Sequence, residues 1–170
     1  MDPELYDRLV DAGLLEGQPV ELVDGLLVHV SPQGPEHAEL IQWLTGRFAA
    51  RGEMLRVQLP LAVTGGRPEP DLALAERAGP HSHPTSAALA VEIAVTAWRD
   101  ALAKVPGYAR AGVAMVWLVN VSERSVHVHE LPQDGIYRLV RVLRAGDTLP
   151  SPLDGIDEIA VGDLFGVLDV

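Results

Sequence analysis

The sequence predicts an α/β fold in which a mixed β-sheet is flanked by helices, with an N-terminal β-hairpin. Three observations predict it. Short β-rich runs alternate with amphipathic segments. One apolar run is typical of a strand buried on both faces, and an Asp-Gly pair joins two β-rich runs near the start. A length of 170 residues favours a single domain, 1–170, in which residues 1–19 form an N-terminal helical appendage.

The first half of the chain contains the hairpin, one helix and one strand. Asp24-Gly25 is a typical hairpin turn between the two β-rich runs of Val20–Val30. A helix is predicted to begin at Pro35, which suits the first helical position, and to stop at Gly52. The alternation of apolar and polar residues in MLRVQLPLAV (54–63) then predicts a strand.

The second half predicts further strands around one helix. DLALA (71–75) is a short strand, and ALAVEIAV (88–95) is a near-continuous apolar run, typical of a buried strand. A helix follows over 97–111, and Pro106-Gly107 is expected to kink it or split it in two. Three more strands and a short closing element follow, the strands being VAMVWLVNV, SVHVHEL and IYRLVRVL.

Composition excludes several classes of function. The chain has no cysteine, which excludes disulfides, thiol nucleophiles, iron–sulfur clusters and the usual zinc fingers. The start has neither the basic nor the apolar region of a signal peptide, and no apolar stretch reaches the length of a membrane span. We therefore expect a cytoplasmic protein with no membrane partner. The net charge of −11 counts against a broad nucleic-acid-binding surface, but an enzyme can collect its acidic residues at a metal site.

The outstanding feature is a pair of acidic residues in two successive strands. Asp71 begins one strand directly after a proline, and Glu92 lies within the apolar run of the next. A carboxylate in an apolar run is costly unless it is paired, protonated or bound to a metal. Solvent exposure on an edge strand or pairing with an arginine is the alternative for Glu92. Lys104 follows in the predicted helix, where a surface contact with Asp100 is the alternative.

Pro70-Asp71, Glu92 and Lys104 together resemble the PD-(D/E)XK nuclease superfamily and, more narrowly, its Uma family of restriction-endonuclease-like proteins. The resemblance covers roughly 20–167. Its most specific part is the block AVEIAVTAWRDALAKVPGYARAGV followed by VWLV. The shorter motifs that agree with it are ELVDG, SPQGPEH, VQLPL, PEPDLALA and the closing DLF. The resemblance implies a restriction-endonuclease-like core.

The resemblance also implies a set of catalytic residues. Asp71 and Glu92 match the two acidic metal ligands of the family, and the backbone carbonyl of Ile93 matches the usual third protein ligand. Lys104 matches the lysine that this family carries on the helix after the Glu strand. Glu21 of ELVDG matches an additional acid that contributes to the site. Hard oxygen ligands of this kind select Mg²⁺ or Mn²⁺.

Three further residues match recurrent polar positions near the site, where they could contact substrate: His37, Gln58 and Tyr108. The sequence departs from the superfamily at Ala94, where the lysine usually stands, and Lys104 is then its substitute. The implied function is a metal-dependent endonuclease that hydrolyses phosphodiester bonds, most readily in DNA. The family resemblance and the mean hydropathy of +0.15 favour a homodimer.

A second hypothesis is a catalytically inactive member of the family, in which the fold serves as an interaction or scaffold module. The acidic balance favours this alternative, whereas the intact Asp–Glu–Lys set favours the nuclease.

Two other observations are weaker indications of a site. His127 and His129 lie two apart in a strand and could form a metal pair, but no third ligand is apparent. Glu69 is expected to be a surface acid that points away from Asp71.

Overall fold

A computed structural model describes residues 1–30 and 32–169. Ser31, which opens the SPQGPEH motif, and Val170 lie outside the described residues. The helices are α1 (Pro3–Asp11), α2 (Pro35–Phe48), α3 (Trp98–Arg110) and α4 (Val161–Gly166). The strands are β1 (Val20–Val23), β2 (Leu26–His29), β3 (Leu55–Val57), β4 (Leu72–Leu74), β5 (Leu89–Ala94), β6 (Met115–Asn120), β7 (Ser125–Gln133), β8 (Ile136–Leu143), β9 (Thr148–Leu149) and β10 (Ile159–Ala160).

Six of the strands form a mixed sheet in the order β3-β4-β5-β6-β7-β8. β5 and β6 are parallel, and α3 is the crossover that connects them. All other neighbours in this sheet are antiparallel, because turns or loops without a crossover helix connect them. The prediction of an α/β fold with a mixed sheet flanked by helices is confirmed.

The two faces of the sheet are covered by different helices. Leu89 and Val91 of β5 belong to a core cluster that includes the apolar face of α2 and the closing helix α4. Ala90 and Ala94 of the same strand point the other way and pack in a second cluster with α3. β5 is therefore buried on both faces, as its apolar run predicts, and Glu92 shares the face of the strand that α3 covers.

The predicted N-terminal hairpin is confirmed as β1 and β2, which pair antiparallel around Asp24-Gly25. β1 is fixed to the rest of the chain by a backbone hydrogen bond of 2.7 Å from Arg67 N to Leu22 O. A Cβ atom at Gly66 would lie 2.6 Å from that same oxygen, so only glycine permits this close approach. The guanidinium of Arg67 also binds Asp7 of α1, at 2.7 Å.

The predicted strand over 54–63 is too long, and the split that was one of two outcomes expected at Pro106 does not occur. The strand expected over 54–63 ends at Val57, because Gln58 has a left-handed φ of 49° and Pro60 lacks the N–H that a central strand needs. The helix around Pro106 is continuous rather than split. Proline removes one hydrogen bond, whereas burial of Val105 and Tyr108 on either side of it holds the helix against the sheet.

The C-terminal part agrees with the predicted closing element. β9 and β10 pair antiparallel, and α4 buries Leu164 and Phe165 in the core beneath α2. No helix in the described part of the chain combines the length and the apolar character that crossing a bilayer requires.

Candidate active site

The register of β4 and β5 brings Asp71 and Glu92 together. Leu72 pairs with Val91, so continuing the register by one residue places Asp71 opposite Glu92. Opposite residues share a face of the sheet, with Cβ atoms about 4.5–5.5 Å apart. The backbone N–H of Ile93 donates to Asp71 Oδ2 at 2.7 Å, which ties the Asp71 carboxylate to the residue after Glu92. Both acidic side chains are buried.

Lys104 reaches this pair from α3. Its Nζ lies 3.1 Å from Glu92 Oε2 and 2.9 Å from Glu21 Oε2. It also lies 3.5 Å from the carbonyl oxygen of Glu69. The surface contact with Asp100 is therefore not the one that Lys104 makes. The ammonium instead lies between two carboxylates that come from β1 and β5.

Glu21 is held in place by a second contact. Its Oε2 accepts a hydrogen bond of 3.0 Å from the backbone N–H of Glu69, and its residue is 5% exposed. Because the hairpin carries Glu21, the close packing of β1 against Gly66 and Arg67 positions this carboxylate. The acid that the resemblance adds to the site thus lies next to Lys104.

The other three predicted site residues surround the acidic pair. Tyr108 of α3 is fully buried and its hydroxyl donates to Glu92 Oε1 at 2.5 Å. His37, in the first turn of α2, places Nε2 3.0 Å from Asp71 Oδ1. Gln58 is exposed beside the cleft, and its backbone N–H donates to the carbonyl of Asp71 at 3.3 Å. Of these three, Tyr108 is placed to orient Glu92 rather than to contact a ligand.

The electrostatics of the site follow from burial and from the charges in it. Burial raises the pKa of Glu92 to about 8; Lys104 opposes this rise, Asp71 and Glu21 add to it, and the hydrogen bond from Tyr108 opposes it. Burial alone would lower the pKa of Lys104, but Glu92 and Glu21 outweigh it and raise the pKa. The site therefore holds a buried ammonium between two acidic side chains, and burial disfavours the charged form of Glu92.

One cleft of about 730 Å³ is lined by Glu21, His37, Gln58, Asp71, Glu92 and Lys104. Its walls come from the hairpin, the start of α2 and the start of α3. Glu69 also lines it, half-buried, and burial together with the nearby Glu21 raises its pKa. The expectation that Glu69 points away from Asp71 is wrong, because residues two apart in an extended chain point to the same side. The spacing of two residues between Glu69 and Asp71 predicts that both side chains lie on the same side.

The donor atoms fit a small divalent cation. Asp71, just before β4, and Glu92 of β5 supply carboxylate oxygens, which suit Mg²⁺ or Mn²⁺. The N–H of Ile93 points toward Asp71. Because the N–H and C=O of one strand residue face the same neighbour, its carbonyl is directed there too. Among the described residues, no three His, Cys, Asp or Glu side chains form a metal-binding group, so Glu21 does not join Asp71 and Glu92 around one position.

His127 and His129 lie apart from this cleft. Both belong to β7, on the sheet face that α3 covers. His127 stacks edge-on against Trp98, with ring centroids 4.7 Å apart, and His129 packs against Tyr137. The Nε2 atoms of both histidines are buried without a hydrogen-bond partner. No third metal ligand accompanies them in the described part of the chain, so the metal-pair reading gains no support.

Comparisons with known proteins bear on the fold and the family of this chain. Among curated proteins, none matches the chain. This chain is similar in fold to the crystal structure of "a putative nuclease belonging to DUF820 from Anabaena variabilis ATCC 29413", with 17% sequence identity and a TM-score of 0.77. The similarity covers 94% of this chain and 98% of that one. The family model described as "Uma2: Putative restriction endonuclease" matches residues 3–161. The chain therefore belongs to the Uma2 family.

Proposed function

We propose that this protein is a metal-dependent endonuclease that hydrolyses phosphodiester bonds in DNA. The observation that carries the proposal is the convergence of Asp71, Glu92 and Lys104 in one cleft. Asp71 directly precedes β4 and lies opposite Glu92 of β5 when the register is continued by one residue, and Lys104 Nζ lies 3.1 Å from Glu92 Oε2. Membership of the Uma2 family supports the same reaction.

Each residue has a distinct role in this proposal. The carboxylates of Asp71 and Glu92, with the carbonyl of Ile93, would hold Mg²⁺ or Mn²⁺. When bound, the cation polarises the phosphoryl group and lowers the pKa of water. Lys104 is a buried, charged ammonium beside Glu92, and it stabilises the negative charge that develops on the phosphoryl oxygens. An ammonium whose pKa is raised serves as a fixed charge rather than as a base.

Two residues position the metal ligands. His37 Nε2 contacts Asp71 Oδ1, and the hydroxyl of Tyr108 donates to Glu92 Oε1. These contacts fix the rotamers of both carboxylates and leave further lone pairs for a cation. Contacts of this kind orient ligands and tune metal affinity. Gln58, which is exposed at the cleft, remains the candidate for contact with substrate.

The charge of the cleft favours one alternative, a family member that has lost catalysis. The acids that line the cleft are Glu21, Glu69, Asp71, Glu92 and Asp100. Lys104 is the only Lys or Arg among the described cleft residues, so the cleft repels a polyanion unless a divalent cation neutralises it. A nuclease therefore needs the cation for substrate binding as well as for chemistry. A scaffold protein would instead use the cleft for a cationic partner.

A substrate panel separates the two candidates. Purified protein is incubated with supercoiled plasmid, single-stranded DNA and a structured RNA, each with Mn²⁺, Mg²⁺ or EDTA. The proposal predicts cleavage of DNA with Mn²⁺ or Mg²⁺ and none with EDTA, and Asp71→Asn should lose it. Cleavage of RNA alone would contradict the choice of substrate. If none of the three is cleaved with either ion, the scaffold alternative becomes the better account.

A further inference from the structure

The ammonium of Lys104 holds a position that is built for a cation. Its side chain is 11% exposed, and two carboxylates from different elements flank it. Burying an ammonium is costly, and here the charges of Glu92 and Glu21 compensate for that cost. Glu92 is therefore engaged by a protein cation, and it is also one of the two carboxylates to which we assign the divalent ion.

Glu21 is a second ion-pair partner for the Lys104 ammonium, independent of Glu92. Its carboxylate is fixed by the N–H of Glu69 at 3.0 Å, and Lys104 Nζ also lies 3.5 Å from the Glu69 carbonyl. An ammonium that leaves Glu92 would keep both of these acceptors. Asp71 and Glu92, by contrast, do not group with Glu21 among the described residues that could surround one ion.

We infer that Lys104 is a resident cation that competes with the divalent ion for Glu92, and that Glu21 is the positioning residue that retains Lys104 when the ion binds. This inference rests on the proposed function, because it presupposes an ion at Asp71 and Glu92. It assigns Glu21 to Lys104 rather than to the ion. An ion held by Asp71 and Glu92 would release the Lys104 ammonium from Glu92, and Lys104 would keep its contacts with Glu21 and the Glu69 carbonyl.

Calcium titration calorimetry at pH 9 tests the competition without any need for catalysis. Lys104→Gln removes the competing charge, so Ca²⁺ should bind on the order of tenfold more tightly than to wild type, since a unit charge this close repels a dication even with water-like screening. Lys104→Arg keeps the charge and is the matched control, with an affinity within about threefold of wild type. Equal affinities of Lys104→Gln and wild type would overturn the inference.

A double-mutant cycle tests the role of Glu21. Glu21→Gln leaves the ammonium on Glu92 alone, so Ca²⁺ should bind on the order of tenfold more weakly than to wild type. In the Lys104→Gln background the same change should have an effect of less than about threefold, because Glu21 acts through Lys104. If Glu21 were a ligand of the ion, the loss would be at least as large in both backgrounds, and the inference would be wrong.

Folding and the proposed function are controlled separately. Circular dichroism and thermal unfolding in EDTA show whether each variant is folded. If Lys104→Gln alone does not fold, the double variant Lys104→Gln/Glu21→Gln is used in its place, because it removes both buried charges together. That variant should bind Ca²⁺ more tightly than Glu21→Gln, and equal or weaker binding overturns the inference. If neither wild type nor any Lys104 variant binds Ca²⁺ or Mn²⁺ at millimolar concentration, the proposed function itself fails.

Discussion

Replacing Glu92 by glutamine should make the protein more stable at alkaline pH. Burial raises the pKa of this carboxyl from 4.5 to about 8, so the folded protein holds the proton more tightly than the unfolded chain. The free energy of unfolding therefore falls as pH rises from about 4.5 to 8, and it levels off above that range. A shift of this size corresponds to about 5 kcal/mol. Glutamine mimics the protonated acid at every pH, so the free energy of unfolding of the variant should not fall over this range.

The assay is urea unfolding in EDTA at pH 5, 7 and 9. Wild type and Glu92→Gln should have similar free energies of unfolding at pH 5, and the variant should be more stable by about 5 kcal/mol at pH 9. At this chain length the melting temperatures should then differ by roughly 10 to 20 °C. Glu76→Gln, at an exposed position, is the control and should track wild type. Parallel pH profiles for wild type and Glu92→Gln would refute the reasoning.

Three further predictions concern Tyr108, Gly66 and the oligomeric state. Tyr108→Phe removes a hydrogen bond that lowers the pKa of Glu92, so the pH at which stability levels off should move upward in the same urea series; an unchanged profile would show that the hydroxyl does not act on Glu92. Gly66→Ala places a Cβ against Leu22 O and should cost about 1–3 kcal/mol of stability by thermal unfolding. Gly162→Ala should cost no such stability, because a Cβ atom at Gly162 meets only open space. Equal losses of stability in the two variants would contradict the packing argument. Light scattering at micromolar concentration should give twice the chain mass of 18.3 kDa, because edge strand β8 exposes apolar side chains; a monomeric mass would exclude the dimer.

Much of the fold could be predicted because its signals are local. The apolar run around Glu92 predicts a strand buried on both faces, and Asp24-Gly25 predicts the hairpin turn. The errors arise where tertiary contacts decide. The alternating pattern after Met54 continues past Val57, but a left-handed residue ends the strand. Pro106 is a strong helix breaker in isolation, yet packing against the sheet holds α3 together.

The sequence provides candidate residues for the site, but not the contacts among them. The residues alone indicate Asp71 and Glu92, since a carboxylate in an apolar run needs a partner; the resemblance to the nuclease superfamily adds Lys104. The contact between Lys104 and Glu21 depends on how the hairpin packs against the rest of the chain. That packing requires the close approach of Gly66 to β1, which the hydrophobic periodicity of the sequence does not predict. The burial of Tyr108 likewise follows from the rotation of α3 on the sheet.

The most direct test of the central claim is nicking of supercoiled plasmid by wild type, Asp71→Asn and Glu92→Gln, purified in parallel and assayed with Mn²⁺. Parallel purification matters because a contaminating nuclease would accompany all three preparations alike. The account predicts Mn²⁺-dependent nicking by wild type and loss of that nicking, by on the order of a hundredfold or more, in both variants. Equal nicking by all three folded proteins would contradict the assignment of Asp71 and Glu92 as the metal-binding carboxylates.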